Sequence, residues 1–443
     1  MQPMQIHRRL IFTLGFVLMA AMVLPAQERP AQERPAVPAP MPFKFTGPGS
    51  CSSGGCHGSV APKKETRISQ NEYSIWVTQD AHARAFATLE KPVSVRMAKI
   101  LGLNSAAAAA PKCLACHALS PPASHRGRAI ETSDGVSCES CHGPASEWLG
   151  PHSIRGTDRK TSLQAGMIDT KNPIRRTEVC ASCHVGTAEK WVDHEMIAAG
   201  HPALLFEVES YSNAMPAHWK VPAEPAAAVR SWSVGQAVQL REGLRQLARR
   251  AQAGSWPEYS ELDCFSCHHS LTPPMDSWRQ AQGYEGRRAG DAPWNKSSWQ
   301  VLRVGIGDDG RALEASLADL AHLMARSGSE RARVAELATR SADQSDALAR
   351  ALARRSWNRD ETARLMQAIV RDADRLADQG ARTAEQTALA LQSLNVAHKR
   401  MGKAGRELDA AIAALFQQLQ NPSSYHPRRF AAQVKKVGAA IAN

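Results

Sequence analysis

The sequence predicts a mainly α protein with little β structure: a loop-rich body over residues 46–304, then a helical bundle over residues 305–443. Three observations predict it. Residues 46–300 are rich in Gly, Pro and His, hold every Cys and nine of the ten Trp, and offer only short helical stretches between long connections. From about residue 305 Cys disappears, Ala, Arg, Leu and Asp dominate, and apolar residues recur at spacings of three and four. The ten cysteines form five tight pairs, at 51/56, 113/116, 138/141, 180/183 and 264/267, each followed by a His.

A chain of 443 residues is long for one core, so two or three domains are expected. Hydrophobic content of 43% and charged content of 22% are ordinary for a globular protein. The length excludes a disulfide-stapled miniprotein. At the start, His7, Arg8 and Arg9 precede an apolar run from Leu10 to Leu24, and Pro25-Ala26 leads into polar sequence. That is the pattern of a secretory signal peptide, assigned to residues 1–26, and it predicts a periplasmic or otherwise exported protein. The run is short for a membrane span, and no later stretch is long enough, so no transmembrane span is expected after cleavage. An uncleaved N-terminal anchor is the alternative. Residues 27–45 repeat Ala-Gln-Glu-Arg-Pro and continue Pro-rich, as an extended linker does.

Within the body, Ser231 to Ala253 stands out, because Val234, Ala237, Val238, Leu240, Leu244 and Leu247 recur at helical spacing. In the last third, Leu313, Leu317, Leu320 and Met324 do the same. So do Leu365, Ile369 and Leu376 (with Asp372 intruding), then Leu391, Leu394 and His398, then Leu408, Ile412 and Leu415. Breaks at Ser327-Gly328, Asn358, Gln379-Gly380, Gly402, Gly405 and Asn421-Pro422 predict four or five helices. This region carries 21 Lys/Arg against 16 Asp/Glu, mixed in sign, which reads as solvated surface rather than a nucleic-acid patch.

Cys113-Leu-Ala-Cys-His117, Cys138-Glu-Ser-Cys-His142, Cys180-Ala-Ser-Cys-His184 and Cys264-Phe-Ser-Cys-His268 are four copies of C-x-x-C-H, the c-type haem attachment motif. Two thiols one helical turn apart can add to the two vinyl groups on one porphyrin edge. The adjacent His then reaches the iron as proximal ligand. Cys51-Ser-Ser-Gly-Gly-Cys-His57 has two extra residues, and Gly54 and Gly55 can loop out, so it counts as a fifth site. Half a zinc site and a thioredoxin-type dithiol are the competing readings. Zinc knuckles do not need a His after each second Cys, and free thiols in an oxidising compartment would pair. Five covalent haems would also supply the apolar interior that the body lacks.

The proximal ligands are then His57, His117, His142, His184 and His268. Of the remaining body histidines, His269 adjoins a proximal His and cannot reach the far face of the same haem. His82, His125, His152, His194, His201 and His218 remain for five distal positions. An isolated His is more often structural, but this excess lies inside the haem region. His194 and His201 would share a face if Trp191–Gly200 were helical. Met97, Met167, Met196 and Met215 are alternative ligands, although Met in a core is usually packing.

At these residues the chain resembles a known family. Asn71-Glu-Tyr-Ser-Ile-Trp-Val-Thr-Gln-Asp-Ala-His-Ala-Arg-Ala-Phe86 resembles the segment after the first haem of the tetrahaem cytochrome c that accepts electrons from hydroxylamine oxidoreductase. Gly135-Val-Ser-Cys-Glu-Ser-Cys-His-Gly-Pro144 with Gly150-Pro-His152 is similar to its third site and the His beyond. Glu178-Val-Cys-Ala-Ser-Cys-His184 is similar to its fourth. The resemblance covers roughly residues 50–190 and implies that His82 and His152 are distal ligands. Ala199-Gly-His-Pro-Ala203 and Pro216-Ala-His-Trp219 are similar to stretches of larger multihaem cytochromes, which favours His201 and His218. The wider first motif, the fifth site and the helical C-terminus depart from the family. One haem of that family lacks a protein distal ligand, so an open iron is conceivable here.

These readings predict an exported pentahaem c-type cytochrome, carrying electrons along closely packed, mostly bis-His haems to or from a redox partner. That partner would be another cytochrome or a membrane quinol-linked complex. The C-terminal helices are a candidate cap or oligomer surface. The alternative is a multihaem oxidoreductase with one open iron, acting on a small nitrogen or sulfur compound. No Cys-x-x-Cys-Lys site is present, which removes the usual mark of the pentahaem nitrite reductases. The formal charge of +12 falls to +10 without Arg8 and Arg9, and five ferric haems would add about −5. That leaves a mildly basic protein with little call for nucleic acid.

Overall fold

The computed structural model describes residues 43–442 apart from 67, 188, 221–223, 254–255, 265–266, 269–292, 326–329, 403–404 and 422–423. The expected signal peptide, most of the linker and His269 therefore lie outside the described residues. As the sequence predicts, the described chain is mainly helical. Its β structure amounts to two isolated bridges, Phe45 with Arg126 and Leu262 with Trp294.

The first part is built from short helices joined by 3-10 turns: α1 (Glu72–Gln79), α2 (Pro92–Ile100), α3 (Pro111–His117), α4 (Cys138–His142), α5 (Leu149–Ser153), α6 (Arg159–Gln164), α7 (Pro173–His184), α8 (His194–Ala198) and α9 (Val208–Ala214). The sequence marks several of these ends. Pro111, Pro173 and Pro92 open their helices, where the missing N–H costs nothing. The Asn172 side chain accepts from the Ile174 and Arg175 N–H groups, capping α7. Apolar clusters in this part are small, one around Leu89, Ala98 and Ala107 and one around Ala181, Phe206 and Val208.

The main apolar core begins with α10 (Ala227–Gln252). It continues through α11 (Ser297–Ile306), α12 (Arg311–Met324), α13 (Arg331–Arg354), α14 (Arg359–Arg371), α15 (Ala373–Asp378), α16 (Ala381–Arg400), α17 (Arg406–Leu419) and α18 (Pro427–Ala442). Helix α10 packs most extensively along α13, and Ser345 Oγ donates to the Ala237 carbonyl at 2.8 Å. A Cβ on Gly235 would stand 2.4 Å from Val208 Cγ1, so glycine is what lets α9 approach α10. Asn358 and Glu361 form a reciprocal capping box at the start of α14.

Among the described residues, seven helices follow residue 305, against the four or five that the apolar spacing predicts. Two reasons account for the difference. The buried face of α13 is made largely of Ala335, Ala338, Ser341, Ala342, Ser345 and Ala349, which carry little apolar signal. Asp372, read as an intrusion within one helix, ends α14 and begins α15. Among the described residues, no helix is long and apolar enough to cross a membrane.

Candidate haem-binding sites

Three motifs lie on helices that end at their His. Helices α3, α4 and α7 stop at His117, His142 and His184. Gly143 follows His142 at φ 83, a conformation that turns the chain away at once. Cys51 ends a 3-10 turn at Pro48–Cys51, and Gly54 and Gly55 lie in the turn before Cys56, as the wider spacing requires.

The histidines meet in pairs. His57 and His152 have ring centroids 6.1 Å apart, with planes 8° from parallel. His117 and His201 are 6.4 Å apart at 87°. His184 and His82 are 6.1 Å apart at 88°. His268 and His194 are 6.1 Å apart at 30°. Each pair joins one motif His to one of the predicted distal candidates. Two imidazoles on opposite faces of one metal ion, with metal–nitrogen bonds of about 2.0 Å and ring centres about 1.1 Å farther out, have centroids about 6.2 Å apart. The spacing fits a haem iron between each pair.

Hydrogen bonds to Nδ1 leave Nε2 free for a metal in several of these rings. His57 Nδ1 lies 3.0 Å from Glu72, and His82 Nδ1 lies 2.9 Å from Asp80. His117 Nδ1 lies 3.0 Å from both the Ala85 carbonyl and Thr88 Oγ1. His201 Nδ1 lies 2.8 Å from the Pro202 carbonyl. Such partners fix the tautomer and ring direction of metal-ligating histidines.

His142 belongs to none of the four pairs. Burial, and then the charges of His218, His57 and His152, push its imidazole down to about 4. It is therefore neutral at physiological pH, the form that ligates metals. Of the predicted distal residues, this leaves His218 as its neighbour. His125 lies apart, beside the Phe45–Arg126 bridge, with Nδ1 3.0 Å from Ser124 Oγ. Trp191–Gly200 is not one helix. Helix α8 covers only His194–Ala198, Gly200 has φ 116, and His194 and His201 go to different partners.

The thiol contacts run between motifs. Cys51 meets Cys138, and Cys116 meets Cys183. Lys190 Nζ is 3.1 Å from Cys183 Sγ. Within a zinc knuckle or a thioredoxin dithiol, the two thiols of one C-x-x-C would act together instead. Burial pushes Cys141 up to about 12 and Cys180 up to about 11, whereas the contact with Cys116, and then Lys190, holds Cys183 low.

Several supporting residues were not evident from the motifs. Glu139, inside the third motif, is buried. Its carboxylate accepts from the N–H groups of Thr46 at 2.8 Å, Gly47 at 2.7 Å and Ala145 at 2.7 Å, tying the chain before the first motif to α4. Arg241 of α10 is 2% exposed and reaches Glu178 of α7 at 2.6 Å, Glu242 at 2.7 Å and Asp346 of α13. Gln246 donates to the Val185 carbonyl at 2.9 Å, just past His184. Gln386 and Arg382 of α16 donate to the carbonyls of Phe206 and Leu204 at 2.8 and 2.9 Å. Of these, only Glu139 lies within a motif; Arg241, Gln246, Arg382 and Gln386 are remote in sequence from the segments they hold.

A helical scaffold with paired motif histidines defines a c-type cytochrome as the class the site fits. One comparison agrees. Residues 51–143 match the family described as cytochrome c554 and c-prime, a stretch of 93 residues in a chain of 443. The match spans the first three motifs and supports a c-type cytochrome with covalently bound haem and a part in electron transfer. No curated protein and no solved structure matches the chain.

Proposed function

We propose that the chain is an exported pentahaem electron carrier. The observation that carries this reading is the set of four histidine pairs, each joining a motif His to a distant His at 6.1 to 6.4 Å. Bound haem iron supplies one-electron chemistry, and bis-His ligation keeps its potential low relative to His/Met ligation. The chain's part is to hold and orient. Ten thiols, Cys51, Cys56, Cys113, Cys116, Cys138, Cys141, Cys180, Cys183, Cys264 and Cys267, would hold the five haems. His57, His117, His142, His184 and His268 would ligate iron as the motif histidines, and His152, His201, His218, His82 and His194 would be their partners, in that order. Glu72 and Asp80 add electron density to the rings they bond.

In this reading residues 46–304 are the haem-bearing part, and residues 305–443 brace it and offer a surface to a redox partner or a second copy. The partner would be another cytochrome or a membrane quinol-linked complex, met in the periplasm or its equivalent. A second reading, an oxidoreductase with one open iron, is favoured at one place only: His142, which belongs to none of the four ring pairs. Pyridine haemochrome analysis of protein matured in an export-competent host should give five haems per chain. Carbon monoxide should bind the reduced protein negligibly. A count of four or fewer would refute the pentahaem reading, and a count of one or none the multihaem reading. One equivalent of bound carbon monoxide would replace the carrier with the enzyme.

A further inference from the structure

Helix α7 ends at His184, and the chain folds back directly after it. Gly186 has φ 104, and a Cβ there would stand 2.8 Å from the Lys190 carbonyl oxygen. That oxygen accepts from Thr187 N at 2.6 Å, and Thr187 Oγ1 accepts from Lys190 N at 3.3 Å. The turn brings the Lys190 side chain back to the end of α7. Its Nζ lies 3.1 Å from Cys183 Sγ and donates to the Ala115 carbonyl at 3.4 Å. Ala115 lies between Cys113 and Cys116 on α3, and Cys116 meets Cys183. One ammonium therefore stands between the second motif and the fourth.

We infer that Lys190 raises the reduction potentials of the second and fourth centres together, an inference that rests on the multihaem reading. Lys190 is half-buried, and the carboxylates nearest to it in sequence have other partners. Glu189 accepts from Thr187 Oγ1 at 2.9 Å, and Asp193 pairs with Lys112 at 2.8 Å. The sulfurs of Cys116 and Cys183 would carry thioether bonds in the haem-bearing protein, so the cation has one thioether beside it and a second one residue from its carbonyl contact.

A ferric centre that takes one electron from the redox partner loses one positive charge, so a fixed cation nearby favours the ferrous form. Partial burial keeps salt from screening that field as it would at the surface. The effect opposes that of the carboxylates bonded to ring Nδ1 atoms, Glu72 at His57 and Asp80 at His82. At the second centre His117 and His201 bond neutral carbonyl and hydroxyl oxygens, so Lys190 meets no opposing ring carboxylate there. At the fourth, Asp80 works against it.

The test is Lys190→Met in the full-length holoprotein, beside Lys190→Arg, which keeps the charge. In a spectroelectrochemical titration two midpoints should fall in the Met variant, by about 59 mV each for a tenfold loss of preference for the ferrous form. The Arg variant should keep the original set, and Lys190→Glu should lower the same two midpoints further. Unchanged midpoints in the Met variant would overturn the inference. So would an equal fall in the Arg variant, which would trace the effect to packing, or a fall spread evenly over all centres, which would trace it to net charge. Should the Met variant fail to accumulate, Lys190→Gln, which keeps a donor for the Ala115 carbonyl, should lower the same two midpoints. An unchanged set there would reject the role equally. A haem count of one or none in the unaltered protein would instead defeat the multihaem reading.

Discussion

Replacing Arg241 by Met removes one charge and keeps most of the side-chain volume. In the folded protein that guanidinium is 2% exposed and faces Glu178, Glu242 and Asp346. Removing one partner of a buried ion pair typically costs about 3–5 kcal/mol, because the remaining charge is left without compensation. Two features lower the figure here. The carboxylates are 25%, 14% and 17% exposed, so water screens them in part. Each also keeps a surface arginine: Arg175 for Glu178, Arg245 for Glu242 and Arg350 for Asp346. The expected loss is therefore about 2–3 kcal/mol. Urea denaturation of the holoprotein, followed by far-ultraviolet circular dichroism, measures it as a fall in midpoint at unchanged slope. The pH dependence gives a second check. Burial works against the Asp346 carboxylate, but hydrogen bonds from Arg350 and Arg241 outweigh it and hold its pKa low. A carboxylate with a lowered folded value contributes stability above its unfolded value near 4, and this is lost as pH falls through the folded value. The wild type should thus lose more stability than the variant below about pH 4. A loss under about 0.5 kcal/mol would put this network with ordinary surface pairs and refute the reasoning.

Two further outcomes are expected. Asp80→Asn should raise the midpoint potential of one haem, because the carboxylate hydrogen bond to His82 Nδ1 favours the ferric state. A tenfold change in that preference is about 59 mV in a one-electron titration, and an unchanged set of potentials would show that the contact tunes nothing. Gly235→Ala gains about 1 kcal/mol of helix propensity but sets a methyl against Val208 Cγ1. Overpacking costs about 1–3 kcal/mol, so the net effect should be destabilising, and a raised denaturation midpoint would contradict it.

The attachment chemistry was legible because it is local. A thiol, two or four residues, a thiol and a His are written side by side, and no folding is needed to read them. The same holds for the Asn358–Glu361 capping box and the break at Gly380, where φ is 98. Which rings stand together was not legible, because each partner is remote and any His could face any motif. The seven-residue interval between His194 and His201 gives a shared face only if Trp191–Gly200 is helical, and the helix covers just His194–Ala198. Helix α13 hid for another reason: six of its ten buried residues are Ala or Ser, which pack closely without looking apolar, and only Val334, Leu337, Leu348 and Leu352 carry the pattern.

The ring pairs also constrain how such a body can form. The span from His57 to His152 contains His82 and His117, whose partners His184 and His201 lie beyond it. The pairs are interlaced, so the sites cannot be completed one after another as separate beads on the chain. Each closes a loop of roughly 75 to 100 residues, whose entropy cost must be met before the ligand pair contributes anything. Residues 51–143, the part matched to a known family, contain His57, His82, His117 and His142 but no complete pair. Every pair draws on residues 144–268, and α7, the 202–210 stretch and the His194 segment are fastened there by side chains of α10, α13 and α16. The segments that carry His184 and His194 are in this way fastened to the long helices rather than to one another.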